Sequence, residues 1–364
     1  MWRRHCGGVV STRLAFRLGL FVIAAAVLVP FVTSDLYWYT VLATALIFGV
    51  LALSLDLLWG RAGILNLAPA LSFGIGAYAW GIVTGEVEGV TGTYLALGAA
   101  IAAPAVLAAL IALVSFKAGT RDIYFALITL ATALVVQQIA EVSTDFTGGS
   151  NGLIGIAWPT FGIPGLWEAT LSTPRDLYFM AAGMMAVAFG LCAWLVASRF
   201  GTVLAAIRES DLRAETLGYS TLTYRVTISA ISAGLAGVAG MAYAPVTGIV
   251  DPSVLGVALS IQVFVWVAVG GAGTLVGPLV AAILLSTGQS TLTGDSATAY
   301  LLATGVIFIL VVLYLPGGLA GAGEQVRRQV RRRQERRADR AGASSGPGPG
   351  AGPGHGATPE AGKP

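Results

Sequence analysis

The chain has 364 residues, of which 56% are hydrophobic and 11% charged; an ordinary soluble domain carries about 25% charged residues, so a water-soluble globule is excluded and lipid is the solvent. The formal net charge of +3 is too small for a nucleic-acid binder, and the cations sit at the ends of apolar runs, where they report orientation. Cys6 and Cys192 stand far apart, and His5 and His355 lie in polar tails; neither a disulfide framework, a metal site nor a histidine base in the membrane region is expected.

Residues 1–13 form a basic tail. Arg3, Arg4, Arg13 and Arg17 lead into an apolar run, 14–33, that is either a secretory leader or a first membrane helix. A retained helix is expected, because the run approaches the ~20 residues that cross a bilayer core and no small-x-small cleavage site follows. Further spans are predicted at 37–58, 63–84, 94–116, 123–141, 177–197 and 226–248. The stretch 255–290 is too long for one span, and Gly270, Gly271, Gly273, Gly277 and Pro278 interrupt it. Two short helices joined at a glycine-rich turn are therefore predicted, followed by a last span at 299–315.

The expected fold is all-α: a polytopic membrane protein of about ten transmembrane helices, some short or broken, occupying 14–316. The cations test that number. With the N-terminus inside, ten spans place 20 of the 21 Lys and Arg residues on the cytoplasmic side and leave only Arg175 outside. Nine spans would export the arginine-rich C-terminal stretch, against the positive-inside rule. The largest external segment, 142–176, is rich in Gly, Pro and Trp and reads as ordered loops with a short helix, or as a slack connector. Residues 317–340 are basic, and the Gly/Pro-rich tail 341–364 is expected to be disordered.

Few polar groups fall inside the spans, and a polar solute would need some of them along its path. Asp56 is the clearest ionisable group there; it either pairs with Arg61 or lines the path. Asn66 and Pro69 interrupt the third segment, with Ser72, Gly74 and Gly76 after them, so a helix broken within that span is expected. Such a break either lines a cavity or is a structural kink. Gln137, Gln138 and Glu141 gather at the outer end of the fifth span, where they either border a vestibule or satisfy one another; Gln137 and Glu141 are one turn apart. Ala233 with Gly237, and Ala236 with Gly240, form small-xxx-small pairs that read as helix packing.

Between two spans lies a soluble stretch, 198–224. Val203, Ile207, Ala214 and Leu217 fall on one face at helical spacing with Ser210 filling the gap, while Arg208, Glu209, Asp211, Arg213 and Glu215 project elsewhere. One amphipathic helix is predicted, with Glu209 a turn before Arg213, Gly218 as a left-handed stop and Ser220 capping the next helix. By pattern alone it is a loop helix lying on the lipid surface.

The residues Ala206-Ile-Arg-Glu-Ser-Asp-Leu-Arg-Ala-Glu-Thr-Leu-Gly-Tyr219 resemble the cytoplasmic coupling loop of ABC transporter permeases, in particular the branched-chain amino-acid and urea uptake family. Gly60-Arg-Ala-Gly-Ile-Leu-Asn-Leu67 with Phe73-Gly-Ile-Gly-Ala-Tyr78, and Ile123-Tyr-Phe-Ala-Leu-Ile-Thr-Leu-Ala131, are similar to signatures of that family. So are the external loop Phe146-Thr-Gly-Gly-Ser-Asn-Gly-Leu153, holding Gly148, Gly149, Ser150 and Asn151, and the break ending at Gly277-Pro278. Pro69 stands where the family often has a histidine, so no substrate contact is carried over at that turn.

The resemblance implies one permease of a multi-subunit importer in a bacterial cell membrane, with both termini cytoplasmic. Its partners would be two ABC ATPase subunits, a second permease subunit that is a different chain, and an extracytoplasmic solute-binding protein. The chain has no Gly-x-x-x-x-Gly-Lys-Ser/Thr phosphate loop, so ATP and Mg would be bound by the partners, and this chain would hold no cofactor of its own. Arg208, Glu209 and Arg213 would form the polar rim of the ATPase contact and Leu212 and Leu217 its apolar anchors, with Gly201 and Gly218 bounding the unit. Branched-chain amino acids are the substrate the resemblance favours, with urea and short amides behind. A passive channel would suit small residues and kinked helices equally. An intramembrane enzyme would need a nucleophile and base, or paired carboxylates, at membrane depth; neither is visible.

Overall fold

The computed structural model describes residues 35–119, 122–163, 167–292 and 305. The predicted spans 14–33 and, 305 apart, 299–315 lie outside these residues, as do the tails 1–13, 317–340 and 341–364. All described residues belong to one compact unit, Met1–Gly321.

Helices α1 (Leu36–Leu55), α2 (Pro69–Glu86), α3 (Gly89–Lys117) and α4 (Asp122–Val142) are followed by a single turn, α5 (Thr144–Thr147). Helix α6 (Pro174–Ala197) leads to two short loop helices, α7 (Arg199–Glu209) and α8 (Asp211–Thr216), then to α9 (Thr221–Thr247), α10 (Val257–Gly270) and α11 (Val276–Leu292). Five of the described helices are long and apolar enough to cross a membrane: α1 with the π-helical turn Asp56–Arg61 that extends it, α3, α4, α6 and α9. The fold is that of an all-α polytopic membrane protein. Each of the eight spans predicted within the described residues has its helix, and α10 and α11 are the two short helices expected on either side of the glycine-rich turn.

The third span differs from expectation. Its helix begins at Pro69, not Gly63, so the break precedes the helix instead of dividing it. Gly63 is left-handed, with φ +75°, the Asn66 side chain accepts the Ala68 N–H at 2.9 Å, and Pro69 opens α2, where a missing N–H costs nothing. Residues 62–68 thus run without helical bonds, and Asn66 and Ala68 share a pocket with Leu107 of α3 and Phe125 of α4. This stretch packs against protein, the setting in which non-helical backbone is tolerated within a membrane protein.

Helix α1 lies at the centre, 83% of its spanning window buried, whereas α3 is 17% buried and turns most of its apolar surface outward, as a lipid-facing helix does. Helix α9 wedges between α2 and α3 on small residues. A Cβ on Gly76 would come 2.1 Å from the Gly237 carbonyl oxygen, and one on Gly240 would come 1.8 Å from that of Phe73. The backbones are in direct contact, as the small-xxx-small spacing predicts. The Ser232 hydroxyl donates to the Ser54 carbonyl at 2.6 Å, tying α9 to α1. Phe48, Phe73, Tyr243 and Trp266 fill the space between α1, α2, α9 and α10, with ring centroids 5.2 to 6.0 Å apart.

The segment after α4 carries two small antiparallel ribbons. β1 (Leu153–Ile154) pairs with β4 (Ile249–Val250), and β2 (Thr160–Ile163) with β3 (Trp167–Thr170). Gly152, at φ +72°, sits where a Cβ would lie 2.3 Å from the Val250 carbonyl oxygen, so only glycine lets the loop close on the end of α9.

Candidate functional site

The 198–224 stretch packs on one end of the bundle. Ser198 accepts from the Gly201 N–H at 3.4 Å and starts α7, whose Val203, Leu204 and Ile207 are buried. Phe200 stacks on Tyr224 of α9, centroids 5.1 Å apart. The single predicted helix is in fact two. Ser210 is extended, at φ −166° and ψ 110°, and its hydroxyl caps α8 by accepting the Arg213 N–H. A serine hydroxyl competes with the helix for backbone N–H groups, which makes this residue a boundary instead of a filler on an apolar face.

The break changes what the stretch presents. Ala214 stays buried with Val203 and Ile207, but Leu217, expected on that face, is 74% exposed, and Leu212 is 72% exposed. Glu209 and Arg213 fall on different helices, so the helical spacing expected between them does not apply. Gly218 is left-handed at φ +85°, and Ser220 caps α9 through the Thr223 N–H at 3.5 Å; both are as predicted. Two further contacts bind α8 to the bundle. Arg225 of α9 pairs with Asp211 at 2.6 Å and lies 4.8 Å over the Phe116 ring of α3, and Thr221 donates to Glu215 at 2.7 Å.

Arg208 does not simply face water with Arg213. Its guanidinium donates to the Gly60 carbonyl in the π-helical turn, and its stem runs over Gly63, where a Cβ would meet its Cγ at 2.8 Å. Asp56, fully buried, starts the same turn. Both its oxygens are taken by backbone N–H groups of the turn between α10 and α11: Gly273 at Oδ1, and Leu275 at Oδ2 at 3.0 Å. The carboxylate thus holds the glycine-rich turn, a role the sequence did not suggest, with Arg61 close enough to interact with it electrostatically. Leu275 stands at φ +61°, a conformation that costs a non-glycine residue about 1–3 kcal/mol and persists only where its surroundings hold it. Gly271 and Gly273, at φ +98° and +89°, make the turn; Gly270 and Gly277 are in backbone contact, a Cβ on Gly270 lying 2.3 Å from the Gly277 carbonyl carbon and from the Pro278 nitrogen.

Of the residues expected along a path, Asn66 and Ser72 meet in one pocket with Thr129 and Ser229. Its volume is ≈ 20 Å³ measured at the centre of a water-sized sphere, room for about one water. Gln137, Gln138 and Glu141 are elsewhere, toward the end of α4 that leads into the segment 142–176. Gln137 donates to Glu141 at 2.9 Å, so these two satisfy each other. Gly148 and Gly149 are left-handed at φ +75° and +61°, and Ser150 and Asn151 sit exposed in the 3-10 turn that follows. Among the described residues no three His, Cys, Asp or Glu side chains gather as a metal-holding group.

Sequence reasoning passed over Gly60 and Gly63 as the receptors of Arg208, Leu275 as a partner of Asp56, and Arg225 with Phe116. The available signal was an isolated acid in a span and a turn full of unpaired N–H groups elsewhere in the same bundle.

Comparisons with known proteins agree with this architecture. The family model described as branched-chain amino acid transport system / permease component matches residues 37–315. The high-affinity branched-chain amino acid transport system permease protein LivM of Salmonella typhimurium is 29% identical over 341 residues, covering 86% of this chain and 76% of LivM. LivM of Escherichia coli is 28% identical over 337 residues, with the same coverage. The permease protein LivH of Salmonella typhimurium is 21% identical over 290 residues, 76% of this chain and 92% of LivH. No solved structure matches the chain. With a family match over residues 37–315, and a bundle of apolar spans with a capped loop packed on one end, this chain belongs to the permease component family of branched-chain amino acid transport systems.

Proposed function

We propose that this chain is the membrane subunit of an ATP-driven ABC importer that carries branched-chain amino acids into a bacterial cell. The observation that carries the reading is the exposure of Leu212, at 72%, and Leu217, at 74%, on a helix pair that Ser198 caps at its start and Gly218 stops at its end. Two leucines in water beside a buried apolar face suit an apolar groove on a partner, the way a helix anchors in a groove. The partners are two ATPase subunits, which bind ATP and Mg, a second and different permease chain, and a solute-binding protein on the outer side. Arg213 and Glu209 belong to the rim of the ATPase contact.

The substrate is inferred from LivM and LivH, both named as branched-chain amino acid permeases; urea and short amides are the competing solutes. The test is reconstitution of the whole importer in proteoliposomes. Leu212→Asp is expected to strip the ATPase subunits on purification and to abolish ATP-dependent leucine uptake, and leucine, not urea, should compete with labelled leucine. Full-rate leucine flux through this chain alone, without ATP, would overturn the proposal in favour of a channel.

A further inference from the structure

We infer that Arg208 is a positioning residue that latches the loop helices to the turn between α10 and α11, with Asp56 as the fixed post of the latch. The inference rests on the coupling reading above and deepens it. Three segments far apart in sequence meet at this point: the π-helical turn Asp56–Arg61, helix α7 and the turn 271–275. Arg208 donates to the Gly60 carbonyl. Gly60 lies directly on the turn, for a Cβ there would come 2.3 Å from the Gly273 nitrogen, and one on Gly273 would come 2.9 Å from the Gly60 carbonyl oxygen and 3.8 Å from the Arg208 guanidinium. Asp56, one turn before Gly60 in the chain, accepts from Gly273 and Leu275.

Movement of α7 therefore reaches the α10–α11 hairpin through one hydrogen bond and one glycine contact, with no flexible linker between. The hairpin can respond, because α10 and α11 are short, its turn holds three residues at positive φ, and one of them is Leu275. Such a turn is held in place by Asp56 and is free to change when that hold is disturbed. A purely docking role for Arg208 would leave its guanidinium facing the partner; here it points back into the bundle, with its stem packed on Gly63. The ion pair of Asp211 with Arg225 joins the loop to α9 and not to the hairpin.

The test uses the full importer in proteoliposomes with Arg208→Met, Arg208→Lys, Asp56→Asn and Leu212→Asp. Arg208→Met is expected to keep the ATPase subunits attached and basal ATP hydrolysis intact, while leucine uptake per ATP falls at least about tenfold, the size expected from one lost charge-assisted hydrogen bond. Arg208→Lys retains a donor for the Gly60 carbonyl and is expected to recover uptake per ATP to within about twofold of wild type. Asp56→Asn, which accepts at one oxygen only, should uncouple in the same way. An Arg208→Met importer whose uptake per ATP stays within twofold of wild type overturns the latch; so does loss of the ATPase subunits, which would place Arg208 in the docking rim. The Leu212→Asp arm separates the two levels: if it leaves the ATPases bound and uptake intact, the coupling reading itself is wrong, whereas loss there beside a coupled Arg208→Met removes the latch alone.

Discussion

Gly240 shows how a single residue sets the distance between spans. Lipid tails are as apolar as the side chains that face them, so transmembrane helices associate through close packing more than through hydrophobic burial. At Gly240 that packing is backbone on backbone, since a Cβ would fall 1.8 Å from the Phe73 carbonyl oxygen. Gly240→Ala must push α9 off α2 and is expected to cost about 1–3 kcal/mol, the range for overpacking, seen as a lower melting temperature of the detergent-purified protein. Gly98→Ala is the matched control: it too is helical, but nothing lies within 4 Å of its Cβ, so it should not lower the melting temperature and, alanine being the better helix former by about 1 kcal/mol, should raise it slightly. The Gly240 contact was legible, because small residues four apart in an apolar run have few other reasons to recur. Arg208 was not. A charged residue in a water-facing loop defaults to the solvent side, and nothing local records that a carbonyl 148 positions earlier accepts its hydrogen bond. Asp56 is similar: its partners at Gly273 and Leu275 exist only once α1 lies beside the α10–α11 hairpin.

At the scale of elements, Ser210 divides what periodicity joins. Ile207 and Ala214 are seven apart, close to two helical turns, so one continuous helix and two helices with a hinge give the same apolar spacing. The hydroxyl decides between them, by capping α8 instead of pointing away from a longer helix. Loss of that cap costs about 1 kcal/mol, and α8 is a six-residue helix with no other capping side chain at its start. Ser210→Ala is therefore expected to speed tryptic cleavage after Arg213 about fivefold, which is that free energy expressed as local opening. Ser210→Asp, another strong cap, should restore the wild-type rate. Equal rates in all three proteins would mean that Ser210 does not hold the hinge. The stops at Gly218 and Ser220 were legible because each is a residue-level preference with a fixed position, one for positive φ and one for an N-cap. The ribbons β1–β4 and β2–β3 were not, since strands of two to four residues are too short to show a period of two.

Across the whole molecule, the order of spans was readable from hydropathy, and the hairpin of α10 and α11 from a length argument combined with charge. That charge argument also orients the chain, and it can be tested without any partner. Ten spans would place 20 of 21 cations on one side of the membrane, and the positive-inside rule would make that side cytoplasmic. The loop holding Arg208 and Leu212 is expected on that side, and the loop holding Ser150 and Asn151 on the other. In the structure these loops pack at different ends of α9: Phe200 stacks on Tyr224 near its start, and Leu153 pairs with Val250 just past its end. A helix of 27 residues separates them, about 40 Å at the 1.5 Å rise of an α-helix, which is more than the hydrocarbon thickness of a bilayer. The two loops cannot share a side. In a chain with Cys6 and Cys192 replaced by alanine, a cysteine at exposed Ser150 is expected to react with a membrane-impermeant maleimide in intact cells. A cysteine at exposed Thr216 should react only after the membrane is permeabilised. The reverse pattern would put Leu212 and Leu217 outside the cell, where no ATPase could reach them, and would remove the physical basis for coupling at this loop.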